Sequence, residues 1–92
     1  MAKRRDLTKT TEADFQNFKE KSKKLAAILK QHREEKNYTL RYIATMTHYG
    51  YDFSSIAAIE AGTNRLTFEF YFEYCALLKI DPMLTYVKAF SV

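Results

Sequence analysis

Residues 39–62, TLRYIATMTHYGYDFSSIAAIEAG, contain the pattern that decides the fold of this chain. Thr39 suits the N-cap of a short helix, and His48–Tyr51 forms a turn after it. Asp52 suits the N-cap of a second short helix, and Gly62 ends that helix. The side chains expected to face the core are Leu40, Ile43, Ala44, Thr47, Ile56 and Ile59. The stretch therefore predicts two short helices around a tight turn.

A longer helix is predicted before this pair. Thr11 followed by Asp14 resembles a capping box, and the helix is expected to end near Asn37. Its apolar residues recur on one side, at Phe15, Phe18, Leu25, Ile28 and Leu29. One long helix and two helices with a bend near Ser22 both fit this pattern. Residues 1–9 show no apolar periodicity and are interpreted as a flexible basic arm.

Two further helices are predicted after the pair. Thr63–Arg65 reads as a polar loop, Thr67 as the cap of a fourth helix, and Asp81–Pro82 as the start of a fifth. The core positions expected in the fourth helix are Phe68, Tyr71, Phe72, Cys75 and Leu78; the apolar residues of the fifth are Met83, Leu84, Val87 and Phe90. The prediction is an all-α, compact five-helix domain over residues 10–92, with an N-terminally extended first helix.

Composition narrows the class of protein. The chain has 92 residues, which suits one small domain, and 47% apolar with 28% charged residues is ordinary globular composition. No stretch resembles a secretory signal or a membrane span, so we expect a cytoplasmic protein without membrane contact. Residues 1–36 carry eleven Lys or Arg against six Asp or Glu, a net of +5, whereas residues 37–92 carry four against five, a net of −1. The basic N-terminal part could contact phosphate groups. Alternatively, its charges could form a solvated helix face and a tail that aids solubility.

The chain shows no catalytic or metal-binding pattern. His32 and His48 are far apart in sequence and have no acidic or Cys partners at ligand spacing. Cys75 is the single cysteine and falls on a predicted buried face, which favours an inert core thiol. We therefore expect no enzyme activity, no metal, no cofactor and no small-molecule ligand.

The order of elements resembles the lambda-repressor-like (Cro/C1-type, XRE) helix-turn-helix family over residues 25–87. The family pattern reads L-A-x-x-A-G-V-S-x-x-x-I-S-x-I-E-x-G. Ile43–Ala44 matches its opening, and Asp52 takes the place of the Ser cap. Ile56 matches the first buried Ile, and Ile59–Gly62 match the ending. The resemblance implies a helix-turn-helix at residues 39–62 whose second helix enters the major groove of double-stranded DNA.

Two features depart from that family. The turn at His48–Tyr51 is longer, and the outward face of the third helix carries no basic residue. The side chains that would meet bases are Asp52, Phe53, Ser54, Ser55, Ala57 and Ala58. Ser54 and Ser55 offer hydrogen bonds, while Phe53 and Ala57 offer apolar contact to thymine methyl groups, which favours a thymine-rich site. The alternative is an Ala-rich helix surface with Phe53 packed on a neighbouring element.

Phosphate contacts are expected at both ends of the helix pair. The resemblance implies that Thr39 and Arg41 contact the backbone on one side, and Asn64 and Arg65 on the other. Arg65 could instead form a surface ion pair. The arm adds three possible contacts, at Lys3, Arg4 and Arg5.

Aromatic residues are numerous, with seven Phe and seven Tyr. Phe70, Tyr74 and Leu77 lie partly off the predicted core face of the fourth helix. Further apolar surface is expected at both ends of the chain, from Phe15, Phe18, Val87, Phe90 and Val92. These residues could pack on one another or form a dimer interface. We expect a homodimer, because two half-sites double the contacts of a helix-turn-helix with DNA.

Three functional hypotheses remain open at this point. The first is a sequence-specific transcriptional regulator, a repressor of bacterial or phage origin. The second is a protein-interaction module on the same fold, with Phe53 and Ala57 in a docking surface for a protein partner. The third is the antitoxin of a toxin–antitoxin pair, which combines both activities.

Overall fold

The computed structural model describes residues 11–91, which form five α-helices and no strand. The helices are α1 (Glu12–Glu35), α2 (Leu40–Met46), α3 (Phe53–Ala61), α4 (Phe68–Leu78) and α5 (Pro82–Phe90). The described range therefore confirms the prediction of an all-α chain of five helices. The predicted arm at residues 1–9, with Lys3, Arg4 and Arg5, lies outside the described residues, as does Val92.

All five helices begin where local sequence chemistry predicts. In each, a side chain just before the helix accepts a hydrogen bond from a backbone N–H of the first turn. These caps are Thr11, Thr39, Asp52, Thr67 and Asp81. α1 is one continuous helix of 24 residues, so the alternative of two helices with a bend near Ser22 is excluded.

The core lies between the second half of α1 and the four shorter helices. α1 packs on α3, α4 and α5, while α2 packs on α3 and α4. The principal buried side chains are Leu25, Leu29, Ile43, Ile56, Ile59, Phe70, Tyr74, Cys75, Leu78 and Ala89. Residues 11–20 are all exposed, so the first turns of α1 extend beyond the core.

The core-facing side of α4 differs from the prediction. Phe70 and Tyr74, which were expected to lie partly off the core, are fully buried, whereas Phe68 is 67% exposed. Phe72, also expected in the core, is only partly buried. Almost every position of FEFYFEYCALL is apolar, so periodicity alone leaves the rotation of this helix open. Glu69 and Glu73 mark its solvent side, and they are the signal that the core assignment missed.

α5 contacts the core through its small residues. Thr85 and Ala89 are buried, which allows α5 to approach α1 closely. Phe90 also packs against the core, whereas Met83, Leu84 and Val87 are 62%, 66% and 54% exposed. α5 therefore leaves an apolar face without a partner among the described residues.

Candidate nucleic-acid interface

The connection between α2 and α3 spans residues 47–52 and is held on α4. The backbone N–H of His48 donates to both carboxylate oxygens of Glu73 at 3.0 Å, and the His48 ring also pairs with that carboxylate. The His48 side chain and backbone bonds lower the pKa of Glu73. This pair was not predicted from the sequence, because the two residues are 25 positions apart.

Aromatic packing supports the same connection. The rings of Tyr49 and Tyr51 stack with centroids 5.8 Å apart, and both meet the edge of Phe70. Gly50 between them adopts the left-handed backbone conformation, with φ 74°, that glycine tolerates best. These contacts hold the long connection on α4, and they thereby set the position of the first turn of α3 relative to α4.

The first turn of α3 is exposed and uses several of its polar groups internally. The Asp52 carboxylate accepts hydrogen bonds from the Ser55 N–H at 2.8 Å and from the Ser54 hydroxyl at 2.9 Å. The Ser55 backbone bond is the main cause of the lowered pKa of Asp52. These hydrogen bonds favour the ionised form of Asp52. Its negative charge at this position disfavours the approach of a phosphate.

Arg41 of α2 lies beside the start of α3. Its guanidinium carbon is 4.9 Å from the centroid of the Phe53 ring, within cation–π range. Arg41 covers part of the Phe53 ring, but Phe53 remains 46% exposed. A cation from the neighbouring helix α2 thus lies beside the exposed face of α3, which has none of its own. The sequence analysis allowed for Phe53 packed on a neighbouring element but did not identify Arg41 as the partner.

The remaining predicted contact residues lie at the start of α2, along α3 and in the loop after α3. Thr39 lies with Arg41 at the start of α2, and its hydroxyl oxygen accepts the Tyr42 N–H. Ser55, Ala57 and Ala58 are partly buried, so Ala57 and Ala58 are less accessible than their predicted outward position implies, whereas Phe53 and Ser54 are exposed as expected.

Asn64 and Arg65 lie at the other end of α3, in the loop before α4. Both are exposed. The loop is closed by the Ala58 carbonyl, which accepts hydrogen bonds from the N–H of Thr63 at 2.9 Å and of Asn64 at 3.2 Å. Within residues 11–91, Arg65 has no ion-pair partner, which removes the alternative role for it over that range. α3 has nine residues, so it is about 13 Å long from its first turn to this loop.

A buried polar network fixes the last turn of α3. Arg33 Nε lies 2.8 Å from Glu60 Oε2, and Arg33 Nη2 lies 3.0 Å from Glu60 Oε1. Tyr74 donates its hydroxyl to the same carboxylate, and Arg33 Nη1 donates to the Tyr38 carbonyl at 2.8 Å. The Glu60 bond raises the pKa of Arg33, and burial raises the pKa of Tyr74. The network joins α1, α3 and α4.

Sequence reasoning did not identify this network. Glu60 is the acidic residue of the I-E-x-G ending, and a carboxylate within the apolar run AAIEAG is the one signal that marks it. Its partner Arg33 is 27 positions away and looks like one more surface cation of α1. A buried carboxylate needs such a partner.

Cys75, the predicted core thiol, is fully buried, and burial raises its pKa to about 11. Among residues 11–91, no three His, Cys, Asp or Glu side chains come together in a way that could hold a metal ion. None of the helices described has both the length and the apolar character needed to cross a membrane.

Comparison with protein-family models, with curated proteins and with solved structures found no match for this chain. The features of the molecule that bear on function are therefore the exposed start of α3, with Arg41 beside Phe53, and the loop that carries Asn64 and Arg65.

Proposed function

We propose that this protein is a sequence-specific regulator of transcription that binds double-stranded DNA, most simply as a repressor. In this proposal α2 and α3 act as a lambda-repressor-like helix-turn-helix, and α3 enters the major groove. The observation that carries it is the pairing of Arg41 with Phe53 at the exposed first turn of α3. This pairing supports the proposal, because recognition helices contact base edges through residues near their N-terminal end.

The chemistry of the exposed residues suits a thymine-rich site. The Phe53 ring offers an apolar surface to thymine methyl groups, and the Ser54 hydroxyl oxygen can accept a hydrogen bond while donating to Asp52. Arg41 then has either a phosphate or a guanine edge within its reach. Asn64 and Arg65 contact the backbone at the other end of α3 and set its position without reading sequence.

A homodimer completes the proposal. The exposed apolar face of α5, formed by Met83, Leu84 and Val87, is the surface best suited to pairing with a second copy. A two-fold dimer would present two α3 helices about 34 Å apart and would read a palindrome. Leu84→Asp should convert the dimer to a monomer in sedimentation velocity, whereas the control Lys30→Asp should not.

The decisive experiment is selection of binding sites from a random duplex library, at low and at near-physiological salt. A palindromic, thymine-rich motif that survives the higher salt is the expected result. Arg41→Ala should abolish enrichment of the motif, and Lys30→Ala should leave it intact. Binding that enriches no motif and disappears with salt would reduce the protein to a non-specific phosphate binder.

A protein-interaction module is the second candidate, because three large side chains near the start of α3 are exposed. Met46, Tyr49 and Phe53 are 47%, 41% and 46% exposed. Two results together would replace the DNA-binding proposal with this one. The protein would retain no duplex, and it would bind a stoichiometric protein partner that Phe53→Ala releases.

A further inference from the structure

A groove adjoins the proposed DNA-contacting surface and shares Asn64 and Arg65 with it. It runs between the first half of α1 and the loop from α3 to α4, and has a volume of about 360 Å³. Volumes of about 300–1,000 Å³ are usual for ligand sites in proteins. Its floor is apolar and includes Ala26, Ile59 and Leu66.

Two aromatic rings form one side of this groove. Phe15 and Phe18 both line it, and each is 51% exposed although it belongs to a helix with an otherwise charged first half. Nothing in the core requires these rings, because the buried part of α1 begins at Leu25. Two exposed Phe side chains beside an apolar floor favour a ligand with large apolar groups.

Among residues 11–91, the charged side chains that line the groove are all basic. They are Lys19, Lys23 and Arg65. The Lys19 ammonium lies 5.4 Å from the centroid of the Phe15 ring. The Lys23 side chain lies against Gly62, where an added Cβ would come within 2.6 Å of Lys23 Cγ. The groove therefore combines an apolar floor with a positive rim.

These features exclude the occupants that the chain itself could supply. Residues 1–10 carry four Lys or Arg against one Asp, a net of +3, and would be repelled by the rim. The apolar face of α5 in a second copy carries no carboxylate. The acidic part of α4 in a second copy could contact the groove only in a head-to-tail arrangement, which does not close into a dimer. Its Glu73 is also already paired with His48. A phosphate backbone matches the cations but leaves both Phe rings and the apolar floor without partners.

We propose that this groove binds an acidic segment of a partner protein that carries one or more large apolar side chains. The apolar side chains occupy the floor between Phe15, Phe18 and Leu66, and the carboxylates pair with Lys19, Lys23 and Arg65. Arg65 also belongs to the proposed DNA contacts, so the segment and the duplex compete. Only that competition rests on the proposed function; binding of the segment does not.

The test is selection from a random 12-residue peptide library with the full chain as bait, followed by fluorescence anisotropy of an enriched peptide without DNA. The expected result is enrichment of Asp and Glu interspersed with Phe, Leu or Trp. Lys19→Glu combined with Lys23→Glu should weaken binding at least tenfold, as should Phe18→Ala. Lys30→Glu, a charge reversal on α1 outside the groove, should change it less than twofold. Circular dichroism would establish that each variant is folded. Phe18→Ala should not disturb the core, because the Phe18 ring is exposed and lies outside it.

Three results would overturn the proposal. The first is a library that enriches no acidic, apolar peptides, or one whose peptides bind the groove variants as tightly as the wild type. The second is concentration-dependent assembly of the protein alone that Lys23→Glu abolishes, which would assign the groove to a second copy. The third is duplex binding that depends on Phe18 and Lys23, which would assign it to nucleic acid. Competition between peptide and duplex is measured afterwards, so failure of DNA binding leaves the peptide result intact.

Discussion

The two ends of α3 are built in opposite ways. At its last turn, Glu60 is buried and both of its oxygens are bonded, which holds the helix to α1 and α4. At its first turn, Phe53 and Ser54 are exposed, and their contacts are with Asp52 and with Arg41 of α2. One end therefore determines where the helix lies, and the other is free to meet a ligand. Changes at the last turn should alter stability, and changes at the first turn should alter binding.

The largest effect is expected at the buried end. Glu60→Ala leaves the Arg33 guanidinium buried without its partner, and removing one member of such a pair costs about 3–5 kcal/mol of unfolding free energy. That is a large share of the stability of a small domain. Urea unfolding followed by circular dichroism measures the loss.

An exposed acidic residue on α1 provides the matched control. Glu20→Ala should change the unfolding free energy by less than about 0.5 kcal/mol. If Glu60→Ala cost no more than Glu20→Ala, the network would not be what holds the last turn of α3.

Alkaline pH should weaken the same buried region. Burial raises the pKa of Cys75 from 9.0 to about 11 and also raises the pKa values of Tyr71 and Tyr74. Since the folded state then holds protons that the unfolded state releases, stability is fully present below about pH 9 and falls above it. The slope approaches about 1.4 kcal/mol per pH unit for each such group.

Urea midpoints at a series of pH values from neutral to alkaline would measure this slope. Cys75→Ala should make the early part of the decline shallower, because the thiol no longer contributes. A midpoint that stays constant through pH 11 would contradict the assignment of these groups to the core.

At the exposed end, stability and binding should separate. Phe53→Ala removes a ring that is 46% exposed, so the unfolding free energy should change little. Affinity for the selected duplex should fall by about 1–3 kcal/mol, the usual value of one good base contact. Filter binding and urea unfolding on the same preparation test this. Equal losses in both would make Phe53 a structural residue and remove the distinction between the two ends.

The smallest effect is expected at the connection before α3. The bonds from His48 lower the pKa of Glu73 below its ordinary 4.5. The pair therefore stabilises the fold above pH 4.5, and this stabilisation is lost as the pH falls through the lowered pKa of Glu73. Glu73→Gln should lower Tm by no more than a few degrees at pH 7, since the His48 side chain is 91% exposed. Wild type and variant should converge at pH values well below the lowered pKa of Glu73. A difference that persisted there would point to packing and not to charge.

The helix boundaries were predictable because their causes are local. Thr39 and Asp81 each cap a helix through atoms no more than three residues away, and Gly62 takes the left-handed conformation that ends α3. Such signals need no knowledge of what packs on the helix. The rotation of α4 was not predictable in this way, since Phe68 and Phe70 are equally apolar and only their surroundings distinguish them.

The candidate contact surface was predicted in part. The loop with Asn64 and Arg65 and the exposed start of α3 lie where the spacing of I-E-x-G and the caps indicates. The pairing of Arg41 with Phe53 was missed, because it depends on the angle between α2 and α3. That angle depends in turn on how the residues around His48 sit on α4.

The sequence by itself determined that this chain forms five capped helices and where each one begins, because those signals act within one turn of a helix. Only the tertiary structure decided which side of α4 is buried, that Glu60 pairs with Arg33, and that Arg41 and Phe53 share one surface. These arrangements join residues far apart in the chain, and their energies come from burial and pairing that exist only once the helices have packed.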